Sequence, residues 1–459
     1  MLTSQKQNFA KWYNEVVLKA GLAEYSAVKG CMIIKPYGYA IWENIQKNLD
    51  REIKKLGAEN AYFPLFIPEK FLKKEAEHIK GFAPEVAWVT QGGRKKLENK
   101  LAVRPTSETI IYDAFARWIH SYRDLPFKIN QWANIVRWEM RPRLFLRTLE
   151  FLWQEGHTAH ATPKEAAEET KKVLKMYYNF IKDWFAIYSV VGMKTESEKF
   201  AGALYTLCVE SLMKDNKVLQ MGTSHNLGQN FSKAFGIKFL DEKGKQNYAW
   251  QTSWGVSTRL IGGLIMSHGD DRGLVLPPKL APFQVVIIPI SPAGSSVDKT
   301  GKESWTNNKE RAKIKRYISK VEKILGDKKI RFNTDWQTQQ TPGWKFNDWE
   351  LKGVPLRIEI GSKEAKKMEI TFVLRSGLKR NVLSLKNFSN QVEKILDNFQ
   401  KKLLRNSKKF TKSNTRQAKS FSEFKEIIKK QGGFVRSFWC GSDKCEKKIQ
   451  EETKATIRC

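Results

Sequence analysis

Two arginines ten residues apart, Arg137 in Arg137-Trp138-Glu139 and Arg147 in Arg147-Thr148-Leu149-Glu150, are the first candidates for chemistry because they flank one loop. A guanidinium carries a fixed fork of donors that pairs two-to-two with phosphate oxygens, and its plane stacks on a flat ring. The chain has neither a G-x-x-x-x-G-K-[ST] loop nor a G-x-G-x-x-G turn, so a bound nucleotide would have to be held by arginines. Taken alone, an Arg-Trp-Glu triplet is more often a surface ion pair. The surrounding elements have to decide.

Ile41, Ile45, Leu49, Ile53 and Leu56 recur every three to four residues and Gly57 follows at the expected C-cap, which predicts an amphipathic helix. The apolar run Ala61-Tyr62-Phe63-Pro64-Leu65-Phe66-Ile67 predicts a strand with its proline at an edge or end. Thr162, Pro163 and Glu165 supply an N-cap, an N1 proline and a capping-box acid ahead of Val173, Tyr177, Phe180, Ile181 and Trp184, predicting a second helix. Pro277-Pro278 marks a break, after which the pattern changes. A strand at Gln284–Ile288, a polar loop near 291–307, a charged helix ending near Leu325-Gly326, strands at Leu356–Ile360 and Glu369–Leu374, and a helix from Leu385 to Leu404 are expected. Residues 401–430 are crowded with Lys and Arg and carry little apolar periodicity, which predicts a solvated helix or linker.

The chain of 459 residues, 41% hydrophobic, is long enough for two or three cored domains. Its formal charge of +33, from 81 Lys and Arg against 48 Asp and Glu, suits a polyanionic partner, with a lysine-biased solvated surface as the alternative. No uncharged apolar stretch reaches the ~18 residues of a membrane span, and no apolar leader follows Met1, so a soluble cytoplasmic protein is expected. Five cysteines are too few for a secreted disulfide framework at this length.

Arg137-Trp138-Glu139 with Phe145-Leu146-Arg147-Thr148 resembles motif 2 of class II aminoacyl-tRNA synthetases, and the helix and strand ending at Pro64 resemble motif 1. Gly255-Val256-Ser257-Thr258-Arg259-Leu260-Ile261-Gly262 resembles motif 3. Four further segments are similar to prolyl-tRNA synthetases of the archaeal and eukaryotic type: Arg104-Pro105-Thr106-Ser107-Glu108-Thr109, Phe151 to His157, Gly222 to Phe231, and His268-Gly269-Asp270-Asp271-Arg272-Gly273. The resemblance implies an α/β (α+β) fold: a class II antiparallel-sheet catalytic domain over 1–281, an α/β anticodon-binding domain over 282–400, and a short C-terminal extension over 401–459. It implies ATP-dependent activation of L-proline, transfer to the 3′ end of tRNA(Pro), Mg²⁺ leaving with pyrophosphate, and a homodimer formed through motif 1.

In that frame Thr106, Glu108, Arg137, Trp153 and His225 would bind proline. Glu108 would meet the secondary ammonium, and Trp153 would pack on the ring or serve only the core. Arg137, Glu139, Arg147, Thr148, Gln220, Thr223, Ser257 and Arg259 would bind ATP, with Arg137 and Arg259 stabilising charge during catalysis. Glu350, Arg357 and Lys363 match family positions that read the anticodon, with solvated surface charge as the alternative. Cys440-x₄-Cys445 resembles part of a zinc site with Cys459 as a third ligand; zinc takes four, so an incomplete segment is the alternative. Two departures stand out. Leu149 replaces an arginine in a motif 2 loop that is one residue short, and Gly202-Ala203-Leu204-Tyr205 lacks the family's aspartate. The rival readings are a threonyl-type enzyme, which needs an active-site zinc, and a catalytically silent RNA-binding paralogue.

Overall fold

The computed structural model describes residues 2–78, 86–138, 142–290 and 308–458. Its largest sheet has seven strands in the order Glu59–Asn60, Phe127–Val136, Glu150–His160, Trp250–Ser257, Val218–Gly228, Tyr205–Leu212, Val190–Met193. Every pair is antiparallel except the first.

Register decides which side chains share a face. Trp153, Glu155 and His157 lie opposite Ser257, Gly255 and Ser253, while Thr223 pairs with Gly255 and His225 with Ser253. Because side chains alternate along a strand, this set projects to one side. The intervening residues project to the other, where the helix Pro163–Phe180 covers them: Tyr177 donates its hydroxyl to Gln154 at 2.6 Å and Ser224 donates to the Thr170 carbonyl at 2.9 Å. Gly156 is required on the covered face, since a Cβ there would lie 2.2 Å from the Trp254 ring.

The helix Pro36–Lys55 forms as its spacing predicts, with Ile41, Ile45, Leu49 and Ile53 fully buried. The Thr162–Glu165 capping box is also present. The run at 61–67 is not one strand. Glu59–Asn60 and Phe66–Pro68 belong to different sheets. Between them the Phe63 amide donates to Gln131 Oε1 at 2.6 Å, and the Phe63 carbonyl accepts from Arg104 Nη1 at 2.9 Å. Side chains from distant residues replace a ladder that Pro64, lacking an N–H, would interrupt.

After Pro277-Pro278 a second sheet runs Phe332–Thr334, Val285–Pro289, Leu356–Ile360, Glu369–Leu374, Arg380–Ser384, its first three strands parallel. The helices Asn308–Asp327 and Leu385–Ser413 bury Ile314, Ile318, Val321, Phe388 and Val392 with Val285, Ile358 and Ile370. The loop expected near 291–307 lies outside the described residues.

Of the solvated helix or linker expected over 401–430, the first part is helix: Leu385–Ser413 is continuous past the expected end at Leu404, mostly exposed, and its last turns bury Leu403, Ser407 and Thr411. Two of these three are hydroxyl residues, and Ser407 accepts the Tyr188 amide at 3.0 Å, so the buried stripe lacks an apolar signature. A small unit follows, with Thr415–Gln417 pairing parallel to Phe434–Arg436 and helices Phe421–Lys430 and Asp443–Thr453. It docks on the large sheet through Thr195 to Glu446 (2.8 Å) and Arg458 to Glu210 (3.0 Å). Among the described residues no helix is long and apolar enough to cross a membrane.

Candidate functional site

A cavity of about 290 Å³ opens on the uncovered face of the large sheet. Of the twelve residues expected to bind proline or ATP, eleven line it: Thr106, Glu108, Arg137, Arg147, Thr148, Trp153, Gln220, Thr223, His225, Ser257 and Arg259. Glu139 lies outside the described residues.

Glu108 opens the helix Glu108–Trp118 and is 4% exposed, with the Thr106 hydroxyl donating to its Oε2. Behind this loop sits Glu155, within the segment Phe151 to His157 but without a role in the sequence expectations. Its carboxylate accepts from Ser107 Oγ at 2.5 Å and Gln131 Nε2 at 2.8 Å, and meets His157 Nε2 at 3.0 Å. Glu155 therefore ties the loop bearing Thr106 and Glu108 to two strands of the sheet. Strand alternation was the signal that could have found it, since Trp153, Glu155 and His157 share one face. Ser253 was also missed: it lines the cavity, is 3% exposed, and its hydroxyl has no hydrogen-bond partner among the described residues.

Arg137 is held in the wall by its Nε bond to the Pro105 carbonyl at 3.0 Å, and its guanidinium lies 5.7 Å from the centroids of both Phe151 and Trp153. Trp153 thus packs at least on the arginine. Arg259 begins the helix Arg259–His268, its amide donating to Ser257 Oγ at 3.2 Å and its Nε to the Leu146 carbonyl at 3.3 Å. That helix end adds a partial positive charge beside the arginine.

The loop facing Arg259 is fastened from the N-terminal segment. Tyr13 donates its hydroxyl to the Leu144 carbonyl at 2.8 Å, and full burial keeps that phenol protonated. Phe145, at φ 60° in the left-handed region, donates its amide to Met32 Sδ at 3.4 Å. The Leu149 departure has a physical reason here: the side chain is 8% exposed, and its amide bonds the Gly30 carbonyl at 2.9 Å. A Cβ on Gly30, itself at φ +92°, would stand 3.3 Å from the Leu149 Cβ. Arg147 and Arg143 close the loop through mutual backbone bonds of 2.8 and 2.5 Å.

His225 lies against the Phe200 ring at 4.7 Å, with Nδ1 2.9 Å from Thr206 Oγ1. The Thr206 hydroxyl also accepts the Phe200 amide; where it donates its own proton to Nδ1, the neutral imidazole carries its proton on Nε2. Burial, helped by nearby His157 and Lys194, pushes the pKa of His225 down to about 3. His160 and His268 are likewise lowered mainly by burial, to about 3 and about 4. All three are neutral when folded near pH 7. Their folded pKa values lie below the unfolded ~6.5. Their stabilising contribution is therefore full above pH ~6.5 and is lost as pH falls toward 3–4, at about 1.4 kcal/mol per histidine per pH unit. The Tm measured by calorimetry should fall by several degrees between pH 7 and 5; a flat profile would contradict neutral burial.

In the second unit, Glu350 and Arg357 line one recess with Trp349 and Arg375, whereas Lys363 is exposed on the short helix Ser362–Lys367 and lines no part of it. Arg357 donates to Glu359 at 2.9 and 3.1 Å and stacks 4.3 Å from the Phe346 ring. At the C-terminal unit Cys440 and Cys445 are exposed free thiols that share a side-chain hydrogen bond. That contact, aided by the Ser442 backbone, lowers the Cys440 pKa and raises that of Cys445. Cys459 lies outside the described residues, and among those described no group of three or more His, Cys, Asp or Glu could hold a metal. Two thiols are half of a tetrahedral zinc set, so the described residues do not by themselves fit zinc.

The family model "tRNA synthetase class II core domain (G, H, P, S and T)" matches residues 88–268, "Anticodon binding domain" matches 284–395, and "Prolyl-tRNA synthetase, C-terminal" matches 421–459. A proline--tRNA ligase of Natranaerobius thermophilus is 49% identical over 457 residues, covering 100% of this chain and 91% of the relative. That of Chlorobium phaeobacteroides is 51% identical over 458 residues, covering 100% and 92%. The chain belongs to the prolyl-tRNA synthetase family. Two crystal structures of Cryptosporidium parvum prolyl-tRNA synthetase superpose along nearly the whole chain. One, with halofuginone and AMPPNP, gives a TM-score of 0.91 at 43% identity, covering 98% of this chain and 90% of that one. The other, with L-proline and AMP, gives 0.90 at 42%, covering 98% and 88%. A prolyl-tRNA synthetase joins proline to tRNA at the expense of ATP, and this is the reaction the chain catalyses. The threonyl-type and silent-paralogue readings are set aside.

Proposed function

We propose that the cavity on the uncovered sheet face binds proline and ATP side by side, proline toward Glu108 and His225 and the nucleotide toward Arg259. The observation that carries this is the convergence of eleven expected residues from three strands, two helix starts and the connecting segments that bear Thr106, Arg137 and Arg147-Thr148 on a single space. Glu108 takes the secondary ammonium, and its bond from Thr106 fixes the carboxylate orientation. The neutral His225 offers Nε2–H as a donor without adding charge. Arg137 bridges the proline carboxylate and the α-phosphate, and Arg259 holds the nucleotide from the opposite side. Thr148, Gln220, Thr223 and Ser257 line the nucleotide end; Arg147 guards its loop.

The carboxylate of proline attacks the α-phosphorus in line and pyrophosphate leaves; the terminal tRNA hydroxyl then displaces AMP from prolyl-adenylate. No protein nucleophile is needed, so the residues act by positioning and by stabilising charge on the pentacovalent phosphorus. Mg²⁺, held chiefly by the phosphates themselves, would neutralise the leaving group. ATP–pyrophosphate exchange tests the reading: proline should drive it, chelation of divalent cations should abolish it, and exchange driven best by another amino acid would contradict it.

A cytoplasmic homodimer belongs to the same reading. Exposed Tyr62 and Phe66, at 74% and 45% accessible, lie on the segment that follows the helix Pro36–Lys55, where a second copy would cover them. Sedimentation at micromolar protein should give a dimer; a monomer alone would refute it. Glu350, Arg357 and Lys363 would read anticodon bases, and zinc at Cys440, Cys445 and Cys459 would need a fourth ligand. The grouping with enzymes of the archaeal and eukaryotic type is supported by the resemblance of the motifs from Arg104 to Thr109 and from Gly222 to Phe231.

A further inference from the structure

His268-Gly269-Asp270-Asp271-Arg272-Gly273 is a motif to which the reaction assigns no role, yet several separate elements bond to it. It directly follows the helix that Arg259 begins. On the catalytic side, the Gly269 carbonyl accepts from Lys214 Nζ at 2.6 Å and Gln5 Nε2 at 2.9 Å, and the Asp270 carbonyl accepts from Trp12 Nε1 at 2.9 Å. Asp271 accepts from the Gln5 amide at 2.7 Å. On the other side, the Asp270 carboxylate takes both terminal nitrogens of Arg375, from the strand-end of the second unit, at 2.6 and 2.8 Å. The Arg375 side chain is 2% exposed, and its Nε donates to the Glu350 carbonyl at 2.8 Å. Backbones also meet: Leu274 donates to Leu351 at 2.9 Å and Leu276 to Gly353 at 3.1 Å. Gly273, at φ +130°, permits this approach, because a Cβ there would stand 2.5 Å from the Leu351 carbonyl oxygen.

We propose that Arg375 and Asp270 are a positioning pair for the transfer step, fixing the second unit against the catalytic sheet so that a tRNA held at its anticodon presents its 3′ end to the adenylate. This rests on the proposed anticodon-reading role of the second unit. A tRNA engaged at two distant points delivers its 3′ end at an effective concentration set by the spacing and angle of the two surfaces. A misplacement of about 1 Å can lower a reaction rate on the order of 10²-fold. Two parallel charge-assisted bonds fix direction as well as distance, which neutral single contacts do not. The pair touches neither proline nor ATP, so adenylate formation does not depend on it.

Arg375→Gln, Arg375→Lys, Asp270→Asn and the Arg375→Gln/Asp270→Asn double variant, each in the full chain, test this. The readouts are ATP–pyrophosphate exchange, charging of full-length tRNA(Pro), charging of an anticodon-substituted tRNA(Pro), and charging of an acceptor-stem minihelix. Expected for every variant is exchange within about twofold of wild type, with kcat/KM for full-length tRNA down about tenfold or more. Minihelix charging stays unchanged, discrimination against the substituted anticodon shrinks, and the double variant is no worse than the worse single one. Arg375→Lys keeps the charge but not the fork and falls between wild type and Arg375→Gln. Unchanged charging of full-length tRNA, or equal losses for tRNA and minihelix, would overturn the proposal. Loss of exchange in Arg375→Lys would overturn it too, by showing that the pair serves the catalytic unit alone. If the wild type itself ignores the anticodon substitution, the anticodon reading beneath the proposal fails.

Discussion

Replacing Arg137 or Arg259 by alanine should lower proline-dependent ATP–pyrophosphate exchange at least ~10²-fold, the usual loss when one preorganised charge donor is removed. The two arginines reach the cavity from different elements: Arg137 at the end of the strand Phe127–Val136, Arg259 at the start of a helix. Each is braced by a bond from Nε to a backbone carbonyl, of Pro105 and Leu146 respectively. Bracing means that little reorganisation is needed when charge develops on the α-phosphate, and an arginine so held is worth more than a mobile surface one. Arg137→Lys is expected to remain impaired more than tenfold, since an ammonium is a single point charge that cannot bond carboxylate and phosphate in one plane. Near-normal exchange in either alanine variant would contradict the assignment.

Glu108→Gln should weaken proline binding by about 10- to 100-fold while changing the KM for ATP much less. A charge-assisted hydrogen bond to the ammonium contributes roughly 1.5–3 kcal/mol, and each 1.4 kcal/mol is about tenfold in affinity. The amide keeps the shape of the side chain and can still accept from Thr106, so the loop should hold its form. Equal losses for proline and ATP would instead indicate that the loop had come away from Glu155 and its partners Ser107, Gln131 and His157.

The parts legible in the sequence were those governed by short-range periodicity. Ile41, Ile45, Leu49 and Ile53 define the buried stripe of one helix, and Thr162 with Glu165 fixes the start of another. The eleven cavity residues were legible only because their motifs resemble a family; their spacing alone would not have brought Glu108 near Ser257. Contacts between distant residues were hidden. Gln131 and Arg104 end the expected strand at 61–67 by bonding Phe63 from 68 and 41 residues away. Glu155 gathers partners from three segments, and strand alternation marks the face it shares with Trp153 and His157 but not its distant partners Ser107 and Gln131. Ser407 and Thr411 are buried as polar residues, which hid the continuation of the helix Leu385–Ser413 from any search for apolar spacing. Leu149 read as a defect in a nucleotide loop, and in space it fastens that loop to Gly30.

The most direct test of the account is a crystal structure of this protein soaked with L-proline and a non-hydrolysable ATP analogue. The predicted result is proline with its ring nitrogen in hydrogen-bond reach of Glu108 and its carboxylate beside Arg137, the α-phosphate between Arg137 and Arg259, and the base at the far end of the same cavity. Proline bound with its nitrogen turned away from Glu108, or a nucleotide seated outside the reach of Arg259, would contradict it.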